Sequence, residues 1–199
     1  MRELILAMTM SLDGFVCGPD GEVGWIFDGD QEAMAWKLEN VWNASLHVMG
    51  SHTFRVMASY WPTSTTVFAP PMNQIPKAVF SKQGPAILKA ATAESSQTEP
   101  LQPGAESWGE AYVAGGDLAD EIARMKARDD KPIIAHGGAA LARSLITREL
   151  VDQYFLLVHP VALGKGLSIF SDITLPRRLK PISSTTFPGG SVARIFRPA

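Results

Sequence analysis

Short apolar runs alternate with segments of helical periodicity along this 199-residue chain. Residues 4–10 are almost all apolar and precede the turn sequence Asp13-Gly14, which is typical of a central strand buried on both faces. Apolar side chains at helical spacing predict a helix over residues 31–42, and the apolar run over residues 45–49 predicts a strand before Gly50. Further strands are predicted at residues 78–81, 132–135 and 151–161, with residues 67–69 extended, and further helices from Ser51, from an N-cap at Asp117, and over residues 139–150.

The order of these elements predicts an α/β fold. Strands that alternate with helices favour a largely parallel sheet with right-handed crossovers, and final strands near residues 169–170 and 191–196 are expected to close one edge in the antiparallel direction. The length favours one domain over residues 1–199. Residues 84–108 are rich in small and polar side chains with little apolar periodicity after Leu88, which indicates an exposed loop insertion.

Composition and charge narrow the class of protein. Hydrophobic residues make up 46% of the chain and charged residues 19%, which is ordinary globular usage and excludes a disordered polyelectrolyte. The net charge of −2 provides no basic field, so we expect no nucleic-acid partner. The single cysteine, Cys17, cannot form an internal disulfide, and the sequence shows neither a signal-peptide pattern nor an apolar run of the roughly 18 residues that a membrane span requires. We therefore expect a cytoplasmic protein without a membrane partner.

Candidate chemistry lies at two places where a predicted strand runs through glycine into a helix. The first is residues 46–54, with Gly50 before the helix start, and the second is residues 133–141, where Gly137 and Gly138 remove both Cβ atoms at a turn. In open α/β sheets, ligands bind beyond the carboxyl ends of strands, where helix N-termini offer unpaired N–H groups. A glycine after a strand is also the ordinary solution to a tight turn, so each junction alone is a weak signal. Together they predict a nucleotide site, with the two glycine corners converging on one side of the sheet.

Other common sites have no motif in this sequence. Residues 163–166 (LGKG) do not complete a P-loop, because Gly166 stands where a Ser or Thr would hold Mg²⁺. The four histidines show no metal-ligand spacing, and neither Cys17 nor any serine lies in a nucleophile-elbow context. We therefore expect no metal site, no kinase or NTPase activity, and no hydrolytic triad.

Four segments in a fixed order carry a resemblance: MTMSLDGFV at residues 8–16, VMGSHTF at 48–54, VFSK at 79–82, and HGG at 136–138. With them the chain resembles the dihydrofolate-reductase-like superfamily, and more closely its branch containing the reductase domain of bacterial riboflavin-biosynthesis deaminase-reductases. The match covers nearly the whole chain outside residues 84–108. It implies a three-layer α/β fold and an NADPH-dependent reductase that transfers hydride to a pyrimidine or pterin-like heterocycle.

The resemblance also implies which residues bind the cofactor. Ala7, Ser11 and Val16 flank the nicotinamide; Gly50, Ser51, His52, Thr53 and Phe54 hold the adenosine side and the pyrophosphate; Ser81 and Lys82 lie near the adenosine phosphate; and Gly137, Gly138 and Ala139 cover the pyrophosphate. Ser51 stands where dihydrofolate reductases usually carry an Arg for the ribose 2′-phosphate. The charge must then come from His52, Arg55 or Lys82, so NADPH is favoured and NADH stays open.

Asp13 and His136 are the candidate catalytic residues. For Asp13 the alternative interpretation is an Asx turn, and for His136 it is a hydrogen-bonded strand end. The helix carboxylate that helps to protonate the pterin in folate enzymes has several possible counterparts, each equally explained as an exposed charge: Asp28, Asp30, Glu32 and Glu39.

Three functions therefore stay open. The first is a reductase of the kind that acts on 5-amino-6-(5-phosphoribosylamino)uracil in riboflavin biosynthesis. The second is a pterin or other heteroaromatic reductase, because riboflavin-pathway reductases tend to carry a carboxylate where this chain has His136. The third is a nucleotide-binding module without turnover, since the sequence contains no evident proton donor. The resemblance also implies a homodimer.

Overall fold

The computed structural model describes residues 1–27, 31–93, 100–128 and 131–199. Its strands are β1 (Leu4–Ser11), β2 (Phe15–Cys17), β3 (Leu46–Gly50), β4 (Lys77–Phe80), β5 (Tyr112–Ala114), β6 (Ile133–Ala135), β7 (Gln153–His159), β8 (Leu167–Ser168), β9 (Leu179–Thr186) and β10 (Val192–Pro198). Its α-helices are α1 (Gln31–Trp42), α2 (Ser51–Tyr60), α3 (Ala69–Gln74), α4 (Ala86–Ala93), α5 (Leu118–Lys126) and α6 (Ala139–Thr147), with short 3₁₀ helices at Gly24–Phe27 and Ala105–Trp108. Among these described elements, no helix is both long and apolar enough to cross a membrane.

Eight strands form one sheet in the order β5-β4-β3-β6-β1-β7-β10-β9. The six strands from β5 to β7 are parallel, and β10 and β9 add an antiparallel edge. The predicted α/β class, with a mostly parallel sheet and an antiparallel C-terminal edge, is confirmed. A separate two-stranded sheet pairs β2 with β8.

Helices cover both faces of the sheet, which gives three layers. On one face, Leu4 and Leu6 of β1 pack in a cluster with α5 and α6, and on the other Met49 of β3 packs with Phe54 of α2 and Val41 of α1. Side chains of successive strand residues point to opposite faces, so a central strand between two helical layers must be apolar at nearly every position. This is the physical reason that the apolar runs of β1 and β7 predicted strands at the centre of the sheet.

Several predicted boundaries are correct and have a visible local cause. Helix α1 spans the predicted residues 31–42, and α2 begins at Ser51. The carboxylate of Asp117 accepts hydrogen bonds from the amides of Ala119 and Asp120, which confirms the predicted N-cap of α5. Helix α6 ends at Thr147 rather than Leu150, since Glu149 adopts a left-handed conformation with φ of 58°.

Two predicted elements are wrong, and one strand was not predicted. Residues 67–69 are not an extended segment: α3 begins at Ala69, with a proline in its first turn, where a missing N–H costs nothing. Residues 169–170 are not a strand, because β8 ends at Ser168 and Ile169 is buried in a bend. Strand β9 was not predicted, since its polar sequence with Pro181 is that of an exposed sheet edge.

The segment over residues 84–108 is not simply an exposed loop. It begins with α4 and ends with the 3₁₀ helix at Ala105–Trp108, and the side chains of Ile87 and Trp108 are fully buried in the core beside Phe54. Residues 94–99, in the middle of the predicted insertion, lie outside the described residues. Ile87 and Trp108 are isolated apolar residues in a polar segment and form no periodic pattern. Their burial in the core could therefore not be predicted from the sequence.

Candidate active site at the carboxyl edge of the sheet

The parallel strands all end at one edge of the sheet, and the direction of the chain changes there. From β3 the chain proceeds outward to β4 and β5; it then returns to place β6 between β3 and β1, and continues to β7 beyond β1. In open α/β sheets this kind of topological switch leaves a crevice outside the carboxyl ends of the strands, where ligands bind.

The two glycine corners meet at this switch point. Strands β3 and β6 are hydrogen-bonded neighbours, with Val48 opposite Ala135, and the amide of His136 donates to the Val48 carbonyl at 2.9 Å. A Cβ atom added to Gly138 would lie 2.7 Å from Oγ1 of Thr53, and one added to Gly50 would lie 3.6 Å from the Cβ atom of Leu141. The predicted convergence of the corners is therefore confirmed.

Both corners leave helix amides without side-chain caps. Gly50 is the N-cap of α2 and Gly138 the N-cap of α6, and neither helix start has a side-chain hydrogen bond within the described residues. Gly137 and Gly138 have φ values of 57° and 73°, a region in which L side chains are strained. Two uncapped N-termini at one crevice offer N–H donors and partial positive charge to an anion such as a pyrophosphate.

The predicted adenosine side lies one strand further along the edge. Ser81 follows β4 and its hydroxyl accepts a hydrogen bond from the Gln83 amide at 3.1 Å, while Lys82 is exposed. Arg55 of α2 reaches the same loop, since its Nη2 donates to Oε1 of Gln83 at 2.7 Å. The Nε atom of Arg55 is buried without a hydrogen-bond partner in the described chain, so this guanidinium has a donor left for a ligand.

The remaining predicted cofactor residues differ in accessibility. Ala7 is partly exposed, but Val16 is buried in the core and Ser11 is 1% exposed. The ring of Phe54 is fully buried, 5.6 Å from the ring of Trp108, so only the backbone of Phe54 can face a cofactor. His52, in contrast, is exposed beside the crevice.

Asp13 connects two loops that are far apart in sequence. Its carboxylate accepts hydrogen bonds from the Ser11 hydroxyl at 2.6 Å and from the amides of Leu163 and Gly164, the latter at 2.7 Å. These bonds, the Ser11 bond foremost, lower the pKa of Asp13. An ionised, fully engaged carboxylate is a poor proton donor, so this geometry favours a positioning role for Asp13.

His136 lies at the end of β6 with its ring 4.5 Å from that of His47, which is fully buried. The Nε2 atom of His136 is buried and has no hydrogen-bond partner in the described parts of the chain. Burial, followed by the positive charges of Lys37 and Lys77, lowers the pKa of His136 to about 4. His136 is therefore neutral near pH 7, and with the proton on Nε2 it can donate a hydrogen bond to a ligand.

Beside His136, a strip of the sheet face on the α1 side is accessible to solvent, and this strip is referred to as the groove over Ala7. Ala7 and Thr9 of β1 lie between strands on both sides, yet both are partly exposed, as is Phe155 of β7. The ring of Trp36 in α1 lies 6.0 Å from that of Phe155 and closes the far side. A flat ring placed over Ala7 would lie directly beside His136.

The acidic candidates for proton donation receive no support from their surroundings. Glu32 and Glu39 are exposed on α1, and Asp28 and Asp30 lie outside the described residues. Among the described residues, no three His, Cys, Asp or Glu side chains lie together in a group that could hold a metal ion.

Lys37 of α1 is the site residue that the sequence interpretation missed. The helical pattern consisted of Met34, Leu38, Val41 and Trp42. The structure buries Val41, but it buries Ala33 more deeply than Met34 and Leu38 and leaves Trp42 exposed. Lys37 lies four residues from Ala33 and from Val41 and therefore faces the sheet. The i, i+4 spacing of Ala33, Lys37 and Val41 was the available signal, but alanine and lysine contribute little to an apolar pattern.

Comparisons with known proteins agree on one family. The model of the RibD C-terminal domain matches residues 2–193. The uncharacterized protein YyaP of Bacillus subtilis is 28% identical over 198 residues, which cover 98% of this chain and 94% of that protein.

Solved structures share the fold at low sequence identity. A diaminohydroxyphosphoribosylaminopyrimidine deaminase/5-amino-6-(5-phosphoribosylamino)uracil reductase from Thermotoga maritima aligns with a TM-score of 0.62 and 18% identity, over 100% of this chain and 57% of that one. Dihydrofolate reductase from Enterococcus faecalis, complexed with NADP(H) and RAB-propyl, aligns with a TM-score of 0.60 and 12% identity, over 98% of this chain and 96% of that one.

Proposed function

Because the chain belongs to the RibD C-terminal domain family, we propose that it is an NADPH-dependent reductase that transfers hydride to a flat pyrimidine or pterin-like heterocycle. One observation carries this proposal: two glycine corners on adjacent parallel strands bring two uncapped helix N-termini to the same crevice. That arrangement suits a dinucleotide, whose pyrophosphate needs both close backbone approach and N–H donors.

The proposed roles follow the order of the strands along the edge. The amides after Gly50 and Gly138 bind the pyrophosphate, and the adenosine side extends towards Ser81 and Arg55. The nicotinamide ring lies near Ala7, which leaves the groove beside His136 for the acceptor ring. When bound, the cofactor supplies the hydride, and the protein contributes orientation, exclusion of water and hydrogen bonds.

Arg55 supports NADPH over NADH. Its guanidinium already points at the loop after β4, and its Nε donor is unused within the described residues. A guanidinium suits a phosphate through paired, charge-assisted hydrogen bonds, whereas a ribose hydroxyl gains much less from it. In this proposal Arg55 replaces the arginine that the resemblance places at Ser51.

The acceptor is proposed to be a pyrimidine of the riboflavin pathway or a close relative. The uracil reductase named for the Thermotoga maritima structure supports the first choice, and the dihydrofolate reductase supports a pterin as the second. Turnover of the ribosylaminouracil phosphate compared with dihydropterin distinguishes them. NADPH binding without oxidation across such a panel would instead favour a module without turnover.

The substitution Gly138→Ala tests the dinucleotide crevice. Its new Cβ atom would lie 2.7 Å from Oγ1 of Thr53 and would push the two corners apart. We expect the dissociation constant for NADPH, followed by nicotinamide fluorescence, to rise at least about tenfold, since about 1.4 kcal/mol of lost binding corresponds to that factor.

Gly21→Ala is the matched control. Gly21 also has a positive φ, 91°, but nothing lies within 4 Å of an added Cβ atom. Both variants carry a backbone cost of about 1 kcal/mol, which thermal unfolding measures, while only Gly138→Ala should lose NADPH affinity. Equal NADPH affinity in the two variants, or no NADPH binding by the unmodified protein, would contradict the proposal.

A further inference from the structure

Lys37 occupies the middle of the core-facing side of α1. Ala33, one turn before it, packs in a cluster with Leu157 of β7, and Val41, one turn after it, packs with Met49 of β3. Strands β1 and β6 lie between β7 and β3. Lys37 therefore projects towards the carboxyl-terminal halves of β1 and β6, where the groove over Ala7 opens.

Among the described residues, no carboxylate forms an ion pair with the ammonium group of Lys37. In the described parts of the chain no salt bridge or hydrogen bond joins it to another residue, and burial lowers its pKa. The positive charge of Lys37 acts on His136, while His136 and Lys77 act on His47. Among these interactions the acting carboxylate is that of Glu106, and it acts on Lys77. A cation held partly away from water without an anion is costly, so proteins keep such an arrangement where a ligand completes it.

His136 adds a second, independent observation. Its Nε2 atom is buried without a hydrogen-bond partner among the described residues, although a buried polar atom is normally satisfied. Lys37, one turn from Ala33 and from Val41, lies over β1 and β6, and β6 is the strand that ends beside His136. The positive charge of Lys37 acts on His136. A cation on α1 and a neutral N–H donor at the end of β6, both near the partly exposed Ala7, suit an anionic oxygen on a flat ring.

We propose that Lys37 and His136 bind an anionic group of the acceptor substrate, so that the substrate class is a flat heterocycle carrying a carboxylate or an ionised ring oxygen. This inference rests on the proposed function, because it takes the groove over Ala7 as the acceptor site. Lys37 forms the ion pair, and His136 donates a hydrogen bond to the same group or to the adjacent ring atom. A neutral ring would leave the ammonium group unpaired.

The experiment uses two flat pyrimidines that differ in one carboxylate. Orotate (uracil-6-carboxylate) and uracil are titrated by calorimetry into the full-length protein, each with and without NADP⁺. We expect orotate to bind at least about tenfold more tightly than uracil, because a charge-assisted pair contributes on the order of that factor. Lys37→Met and Lys37→Gln should abolish the preference, whereas Lys180→Met, which removes an exposed lysine of β9, should keep it.

The outcomes separate the two proposals. Absence of NADP⁺ binding contradicts the proposed reductase, while the orotate preference measured without NADP⁺ still decides the role of Lys37. Equal affinity for orotate and uracil, absence of orotate binding, or an orotate preference that survives both Lys37 substitutions overturns the anion site. Histidine NMR gives a reading that needs no ligand: removal of the Lys37 charge should raise the pKa of His136, and an unchanged pKa also overturns it.

Discussion

Lys77 and Lys37 lie against the same face of the sheet, but their ammonium groups have different surroundings. Lys77 of β4 is 2% exposed, and its Nζ donates to the Asn73 carbonyl at 2.8 Å and to the Ser107 hydroxyl, 4.8 Å from the centre of the Trp108 ring. Lys37 of α1, which lies over β1 and β6, has no such partners in the described residues.

The presence or absence of hydrogen-bond partners distinguishes buried polar groups that stabilise the fold from those that a ligand would satisfy. Around Lys77, Asn73 also donates to the Trp61 carbonyl and accepts from the Trp108 indole, each at 2.8 Å, so the network ties α3 and the end of the 84–108 segment to the core. A complete buried network of this kind stabilises one arrangement. The incomplete set at Lys37 and His136 costs stability, which a binding site can offset only when it is occupied.

The largest expected loss of stability comes from removing Asn73 from the hydrogen-bond network around Lys77. Asn73→Ala would leave the Trp108 indole and the Trp61 carbonyl unpaired in the core, so we expect the free energy of unfolding to fall by about 3 kcal/mol in urea titrations. The control is Asn40→Ala, which removes a single bond to the Trp36 carbonyl near the surface of α1 and should cost less than 1 kcal/mol. An equal loss of unfolding free energy in the two variants would show that the buried Asn73 network stabilises the protein no more than a single surface hydrogen bond.

The second effect is the pH dependence of stability that Lys77 contributes. Burial lowers the pKa of Lys77 to about 7, against the smaller opposing effect of the Glu106 carboxylate. A lysine in the unfolded chain titrates near 10.4, so between these values the unfolded state binds more protons and the stability rises with pH. The difference in unfolding free energy between the unmodified protein and Lys77→Met should therefore increase by about 2 kcal/mol from pH 7.5 to 9. A difference that stays flat would show that Lys77 keeps its ordinary pKa.

The smallest expected change in unfolding free energy is that of Lys37→Met, and whether this variant gains or loses stability is the informative result. Lys37→Met removes an unpaired charge and places an apolar chain on the core-facing side of α1. We expect the free energy of unfolding without ligand to rise by up to about 1 kcal/mol, while Lys180→Met changes it by less than 0.5 kcal/mol. A loss of stability in Lys37→Met would show that this lysine holds the fold, as Lys77 does.

The sequence predicted the fold best for elements in which nearly every residue is buried and therefore apolar. Strands β1 and β7 are enclosed by helices on both faces, so their apolar runs were clear, and α1 and the Asp117 cap followed local rules. Prediction failed where tertiary contacts decide. Strand β9 is exposed along most of its length, and the segment ending at Trp108 is attached through single apolar side chains.

The site was predictable in its backbone part and much less in its side chains. Glycine after a strand is a local signal, and the parallel order of the sheet converts two such signals into one crevice. The missing partners of Lys37 and His136 depend on the distances between α1, β1 and β6, which no local pattern contains. The cytoplasmic location and the homodimer stay predictions.

The position of β6 has a consequence for how the protein is made. Strands β1, β3, β4 and β5 leave the ribosome before β6, yet β6 fills the gap between β1 and β3 at the centre of the sheet. An N-terminal fragment that stops before residue 133 has one glycine corner and no neighbour for it. A ligand that needs both corners therefore cannot stabilise the chain before β6 has been synthesised, and afterwards it stabilises the folded state by binding it.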